Sequence, residues 1–519
     1  MRFRHPDGST VHLAYCTNVH PAETLDGVLA QLRDHCEPVR RRLGRDRLGI
    51  GLWLARAAAH TLVSDPAALR GLRAELDRRG LEVVTLNGFP YEGFGAQEVK
   101  YRVYKPDWTD PERLAYTTTL ARLLAVLLPD DVSEGSISTL PLAWRIPYEQ
   151  DPAAADTARA ALTTLAERLD ALEDLTGKSI RIGLEPEPGC TIETTADAIA
   201  PLGELANPRI GVCVDTCHLA TSFEDPATAL NALAAADITI AKAQLSAALH
   251  AEHPHLPEVR SALAHFAEPR FLHQTRTAPD TLHGTDDLPE ALTPRTAAAP
   301  LTSTPPAGLP GADLCETAPP VALPGADSRE TAAPGAVVCE GVVRGAAASG
   351  AVGESDPPRV AASGAVITPA ATPLITASPA HPAPRVTVTT TPALTTDPLT
   401  VATTDPPVLT PAAPPTEATP SFPLPTASPW RAHFHVPLHA PPAPPLTSTL
   451  SVLQDVLTRL MGGPSGHPLT RHLEVETYTW QALPQELRPR TRAQLADGIA
   501  AELTLARDLL ADLGLKELP

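Results

Sequence analysis

Between His12 and Phe266 a strand-like apolar run followed by a segment of helical spacing recurs seven times, and an eighth strand-like run lies near the C-terminus. Leu48–Leu54, Leu81–Asn87 and Ile210–Val214 are near-continuous in apolar residues, as strands covered on both faces are. The intervening segments carry helix punctuation. Asp65-Pro66 opens one, through Leu69, Leu72 and Leu76, and Gly80 closes it. This alternation predicts an α/β fold of the closed (β/α)8 TIM-barrel type, with strands over His12–His20, 48–54, 81–87, 136–140, 180–187, 210–215, 238–246 and 471–480. An open doubly wound sheet is the alternative, but no glycine-rich phosphate turn follows the first strand.

A barrel of this type uses roughly 250 residues, and the chain has 519. The excess is concentrated in one place. From Pro294 to Ser421 there is no aromatic residue, and proline, threonine and alanine dominate. Such a composition cannot bury enough apolar surface to offset the entropy lost on ordering. Residues 294–428 are therefore expected to be a disordered insertion between strands seven and eight. It divides the barrel into residues 1–293 and residues 429–519, the latter carrying strand eight and a closing helix from Thr491 to Leu513. The long segment Gly88–Trp108, with its glycines and aromatic side chains, reads either as a lid over a pocket or as a rim loop packing its rings on the barrel.

A net charge of −19 argues against a nucleic-acid partner. Seven irregularly spaced cysteines point to a reducing compartment. There is no signal-peptide pattern at the N-terminus, and no apolar run reaches the ~18 residues that span a bilayer, so a cytoplasmic protein without direct membrane insertion is expected.

The strand ends carry the chemistry. Glu185 closes the fifth strand, Asp215 the sixth, Gln244 lies near the end of the seventh, and Glu474 and Glu476 share one face of the eighth. Carboxylates turned into a barrel repel one another unless a cation sits among them. His218, three residues after Asp215, can reach the same point, although Asp215 could equally cap the next helix with His218 packed behind it. Glu185, Asp215, His218, Gln244 and Glu476 are thus the candidate ligands of a divalent ion (zinc, manganese or magnesium), with Glu474 one layer deeper. His433 and His435 alternate around Phe434, and His435 is favoured to turn inward. Asn18 and His20 could orient a substrate hydroxyl or cap a helix. Lys242 could contact a substrate oxygen or form a salt bridge inside the barrel. Cys213 and Cys217 read as packing residues.

Asp215-Thr-Cys-His218, the Glu-Pro after the fifth strand and Glu476-Thr on the eighth resemble the xylose isomerase-like barrel superfamily of sugar isomerases, 3-epimerases and endonuclease IV. More narrowly, Tyr15-Cys-Thr-Asn-Val-His-Pro21, the Asn87-Gly-Phe-Pro loop, Lys242-Ala-Gln-Leu-Ser246, Phe271-Leu-His-Gln274, Phe434-His-Val-Pro437 and the strand around Glu474 and Glu476 resemble EboE, a bacterial family encoded with a UbiA-like prenyltransferase and implicated in metabolite traffic. The resemblance implies a metal at Glu185, Asp215 and Glu476 with His218 near. His273, in the Phe271–Gln274 motif, joins Asn18, His20, Lys242, His435 and Glu474 as a candidate substrate contact. Gln244 stands where the sugar epimerases carry a histidine, a departure from their ligand set.

Three functions follow as expectations. The first is isomerisation or epimerisation of a sugar-like or hydroxycarbonyl metabolite, with Glu185 and Glu476 as the proton-transferring pair. The second is non-catalytic metabolite binding and traffic beside a membrane prenyltransferase. The third is metal-dependent phosphoester hydrolysis.

Overall fold

A computed structural model of the chain describes residues 1–293, 424–462 and 466–519. Eight parallel strands close into a barrel: β1 (Thr10–Cys16), β2 (Leu48–Trp53), β3 (Leu81–Asn87), β4 (Glu134–Thr139), β5 (Ser179–Leu184), β6 (Ile210–Asp215), β7 (Ile240–Leu245) and β8 (His472–Val475). Closure is set by β8, which pairs Leu473 with Ala243 of β7 on one side and with Leu13 of β1 on the other. The strands lack an alternating polar face because the interior and the helical ring cover both sides, and every residue of β2, β3, β6 and β7 is buried.

The helices start where side chains can satisfy their first N–H groups. Asp65 accepts from Ala67 at the head of Pro66–Arg79, which stops at Gly80 in the left-handed region (φ 64°). Thr194 caps Thr195–Leu205 with a reciprocal bond from Asp197, and Thr491 caps the closing helix Arg492–Asp512. At the other end of the barrel, Arg2–Arg4 and Lys516–Glu517 add antiparallel pairing outside β1, so the two chain ends are tied to each other. Among the described residues no helix is long and apolar enough to cross a membrane.

Two departures from the sequence-based expectation shape the site. The eighth strand is shorter than 471–480: it ends at Val475, and Tyr478–Gln481 forms a 3-10 turn held by the Thr479 hydroxyl on the carbonyl of His435. Glu476 thereby sits at the barrel mouth. Between β7 and β8 the chain also builds a second, five-stranded antiparallel sheet from Leu249–Ala251, Thr275–Thr277, His283–Thr285, Trp430–Ala432 and Thr447–Ser448. No sequence pattern announced it, since strands of two or three residues are too short to show a period. Of the expected insertion, 294–423 lies outside the described residues, while Leu424 is buried and the carbonyl of Pro425 accepts from the Trp430 indole at 2.8 Å.

For Gly88–Trp108, of the two readings the sequence leaves open, the rim loop prevails. Phe89, Tyr91, Phe94, Tyr104 and Trp108 are all buried. The N–H groups of Val99 and Lys100 donate to the carbonyl of Arg270 at 2.7 and 3.0 Å, and fully buried Arg113 clamps the carbonyls of Gly88, Phe89 and Pro106. A loop held by so many bonds is a fixed wall.

Glu502, buried in the closing helix, accepts from the N–H of Leu438 (3.0 Å), the Thr477 hydroxyl (2.7 Å) and the Trp480 indole (3.0 Å), fastening both segments that carry site residues. Burial raises its carboxyl from the ordinary value of 4.5 to about 7. A carboxyl raised in the folded state contributes stability that is complete below its unfolded value and is lost as pH rises through the folded one. Chemical denaturation between pH 4.5 and 8 should therefore show a loss of stability that the Glu502→Gln variant lacks; identical pH profiles would contradict this role.

Candidate metal centre

Three carboxylates meet at the barrel mouth because three strands end there. Asp215 is the last residue of β6, Glu185 follows β5 with its N–H on the carbonyl of Thr139, and Glu476 follows β8 with its N–H on the carbonyl of Leu245. All three are buried, and one ligand oxygen from each lies within 4.8 Å of the others. Asp215 takes the capping role and keeps one oxygen free of it. Its Oδ1 caps the short helix Thr216–Thr221, accepting from the N–H groups of Cys217 (2.7 Å) and His218 (3.0 Å) and from the Ser246 hydroxyl (2.7 Å), while Oδ2 has no hydrogen-bond partner. Glu185 Oε2 is likewise buried without a partner. Glu476 Oε1 accepts from the side-chain amides of Asn18 (2.7 Å) and Asn87 (2.9 Å), which fixes the carboxylate plane.

Three imidazoles complete the donor set, two of them brought in beside the second sheet. His218 Nε2 lies 2.9 Å from His433 Nε2, and His433 Nε2 lies 3.2 Å from His435 Nε2. The far nitrogen of each ring is committed to an acceptor. Nδ1 of His218 donates to the carbonyl of Pro186, Nδ1 of His433 to Gln274 Oε1, and Nδ1 of His435 to the carbonyl of Glu476, each at 2.8 Å. The Gln274 amide is oriented by its own NH2, which donates to the Pro188 carbonyl (2.9 Å) and the Tyr104 hydroxyl (2.8 Å). These partners place a proton on Nδ1 of all three rings, which leaves Nε2 as the atom turned toward the neighbouring ring. The Nε2 of His433 stands between those of His218 and His435, with the Tyr478 hydroxyl 3.4 Å from it. One shared proton would satisfy only one pair of nitrogens, whereas a cation satisfies all three. Two nitrogens bound to one zinc-sized ion at about 2.0–2.1 Å stand about 2.9–3.4 Å apart, and both observed separations fall in that interval. Rings oriented through Nδ1 by oxygen acceptors are what metal-binding histidines require. The ligand atoms of Asp215, His218 and His435 also lie within 4.8 Å of one another, so Asp215 stands between the carboxylates and the imidazoles. These residues fit a divalent cation.

The electrostatics separate the acids. Burial, then the charges of Glu476 and Asp215, push Glu185 well above the usual carboxylate range, and burial with Asp215 and Glu474 raises Glu476 to about 8. Burial acts on Asp215 in the same sense, but His218, His435 and the bonds to its Oδ1 outweigh it and hold Asp215 below its ordinary value. Burial lowers His433 strongly and His435 to about 4, keeping both neutral. The Cys217 thiol is pushed far up by burial, so although it lies within 4.8 Å of His433 and His435 it is a poor ligand.

The structure brings Asn18 and His435 to this cavity and places the other expected substrate contacts elsewhere. Lys242 and Glu474 form a fully buried ion pair one layer down, and Gly51 leaves room for it, since a Cβ there would lie 2.0 Å from the Glu474 carboxylate. His20 stacks on His35 with ring centroids 4.0 Å apart. His273 bonds the carbonyl of His433 (2.9 Å) and Glu268 (3.0 Å), so it positions His433 from behind. Gln244 is level with Asp215 and Glu474 in the sheet, fully buried, with neither amide atom bonded. Asn87, Glu187, Tyr104, Gln274 and Tyr478 were not singled out from the sequence. Asn87 and Glu187 had a readable signal, a polar side chain at or just beyond the end of a barrel strand. The cavity encloses about 60 Å3, with the acids and imidazoles on one side and Phe89, Phe94, Phe271 and Tyr478 on the other.

A search of curated proteins finds no match. Among solved structures the chain is similar to L-ribulose 3-epimerase (16% identity, 45% of this chain and 69% of that one, TM-score 0.31). It is also similar to 3-keto-D-glucoside 4-epimerase from E. coli (19% identity, 45% and 79%, TM-score 0.30). A third likeness is to a xylose isomerase-like TIM barrel protein from Mycobacterium smegmatis in complex with magnesium (16% identity, 55% and 88%, TM-score 0.32). At these scores none carries an argument about chemistry, and the barrel assignment stands on the strand pairing itself. Over residues 49–257, which hold Glu185, Asp215 and His218 but neither Glu476 nor the two later histidines, the chain matches the family model described as xylose isomerase-like TIM barrel.

Proposed function

We propose that the chain is a metal-dependent barrel protein of the EboE type that moves a carbon-bound proton on a hydroxycarbonyl metabolite. The observation that carries this reading is the convergence of Glu185, Asp215, Glu476, His218, His433 and His435 on one cavity, with unpartnered oxygens and lone pairs facing each other. A divalent ion held there would draw charge from the substrate carbonyl. Asp215, kept ionised, serves as the permanent anchor. Glu185 and Glu476, both raised above the usual carboxylate range, are the groups suited to exchange a proton with carbon. Glu476 takes the proton from the carbon next to the carbonyl while Asn18 and Asn87 hold its Oε1 and leave the other oxygen for the transfer. The electron pair moves toward the carbonyl oxygen, and Glu185 returns a proton to carbon. Return to the same carbon from the opposite face gives an epimer; return to the neighbouring carbon gives an isomer.

A carrier role for the same site is the second reading, favoured by the apolar side of the cavity. There the chain would hold a metabolite unchanged and pass it to a membrane prenyltransferase partner. Recovery of an unaltered ligand from the protein, lost on chelation, would favour carriage.

Elemental analysis of the purified protein should find a divalent metal, reduced in Glu476→Gln and in His433→Ala with the melting transition retained; full metal content in both variants would reject the ligand assignment. Glu476→Gln keeps an oxygen for Asn18 and Asn87 but cannot take a proton. Its turnover of a hydroxycarbonyl substrate should fall at least about 100-fold, and undiminished turnover would reject the proton-transfer role.

A further inference from the structure

The polar groups of the cavity are unevenly spent. On the rim, the Lys100 ammonium is paired with Asp287, and the Tyr104 hydroxyl donates to Glu187 at 2.7 Å while accepting from Gln274. Asn87 accepts the N–H of Phe89 at 3.0 Å and donates to Glu476. Each of these side chains lines the cavity, Asn87 and Tyr104 with their hydrogen-bonding groups engaged and Lys100 with its charge compensated. The buried atoms without a partner lie at the base, on Glu185 and Asn18 of the lining and on Asp215 beside it. Above them stands an apolar wall. Phe94, Phe271 and Tyr478 interlock with centroids 4.9 to 5.6 Å apart, and Phe89 and Leu272 extend the surface.

A polyhydroxylated chain seated here would find partners for the two oxygens at the base and few for the hydroxyls beyond them, where the wall is mostly hydrocarbon. Each hydroxyl buried without a partner weakens binding roughly ten-fold. We propose that the ligand of this site is an amphiphile, with a head of two adjacent oxygens in a hydroxyketone on an apolar, planar body that packs against Phe94, Phe271 and Tyr478, and not a sugar. The head rests on the metal-centre reading above; the body rests on the wall alone. Planar bodies suit a wall of rings whose edges and faces are fixed by mutual packing.

Isothermal titration calorimetry of the full chain, with zinc added and after chelation, separates the two parts. The probes are 2-hydroxyacetophenone, which has the head and a ring, and D-fructose, which has the head and further hydroxyls. With zinc, 2-hydroxyacetophenone should bind at least ten-fold more tightly than D-fructose. Phe271→Ala should weaken it about ten-fold while leaving the zinc content and D-fructose binding unchanged. Equal or tighter binding of D-fructose, no detectable binding of either probe, or an unaffected Phe271→Ala variant would overturn the inference. If the preference for the ring persists unchanged after chelation, the body assignment stands and the metal-centre reading of the head fails.

Discussion

Everything at the mouth of this barrel depends on one constraint: lone pairs and carboxylate oxygens that repel one another have been packed into a space that excludes most water. The imidazoles make the case most sharply. Pro186, Gln274 and the backbone of Glu476 each take the Nδ1 proton of one ring, so the three Nε2 atoms have nothing left to donate to each other. Asp215 adds an oxygen with no partner on the same side, and Glu185 adds another. A protein interior accommodates such a set by protonating some of the acids, as the raised Glu185 and Glu476 show, or by holding a positive charge among them. The fold supplies the rigidity that keeps these groups from relaxing apart. Strand ends fix the acids, Glu502 ties down the segments around Leu438, Thr477 and Trp480, and His273 braces His433.

Much of the barrel is legible in the sequence because its signals are local. Strands buried on both faces read as apolar runs, and the helices between them carry their caps and stops in the expected places, as at Asp65 and Gly80. The acidic side chains at successive strand ends are legible for the same reason, since a strand end in a barrel has one direction in which to point. Strand alternation also put Glu474 and Glu476 on one face. The difference in depth follows from the same alternation, and its consequence is chemical: Glu474 one layer down pairs with Lys242 of the neighbouring strand, where Glu476 at the mouth meets Asn18 and Asn87.

What the sequence hides is what long-range contact creates. His433 stands 215 positions from His218, and the short strands that carry it there have no period to read. Gln274 orients His433 from across the second sheet, a role set by the pairing of Thr275 with Ala432. Between a lid and a rim loop the sequence could not choose for Gly88–Trp108, because nothing local shows that Arg113 and Arg270 hold the loop down. Two imidazoles supplied beside the added sheet also give a physical reading of Gln244. With nitrogen donors arriving from above, the seventh strand need not contribute one.

The central claim is that carboxylate oxygens and imidazole nitrogens from separate parts of the chain share a metal centre. X-ray absorption at the metal edge of the purified full-length protein tests this most directly. The account predicts a first shell of oxygen and nitrogen at about 2.0–2.2 Å with the outer-shell scattering of imidazole rings, and loss of part of that scattering in His435→Ala. A spectrum of a fully hydrated ion, or one without imidazole scattering, would contradict it.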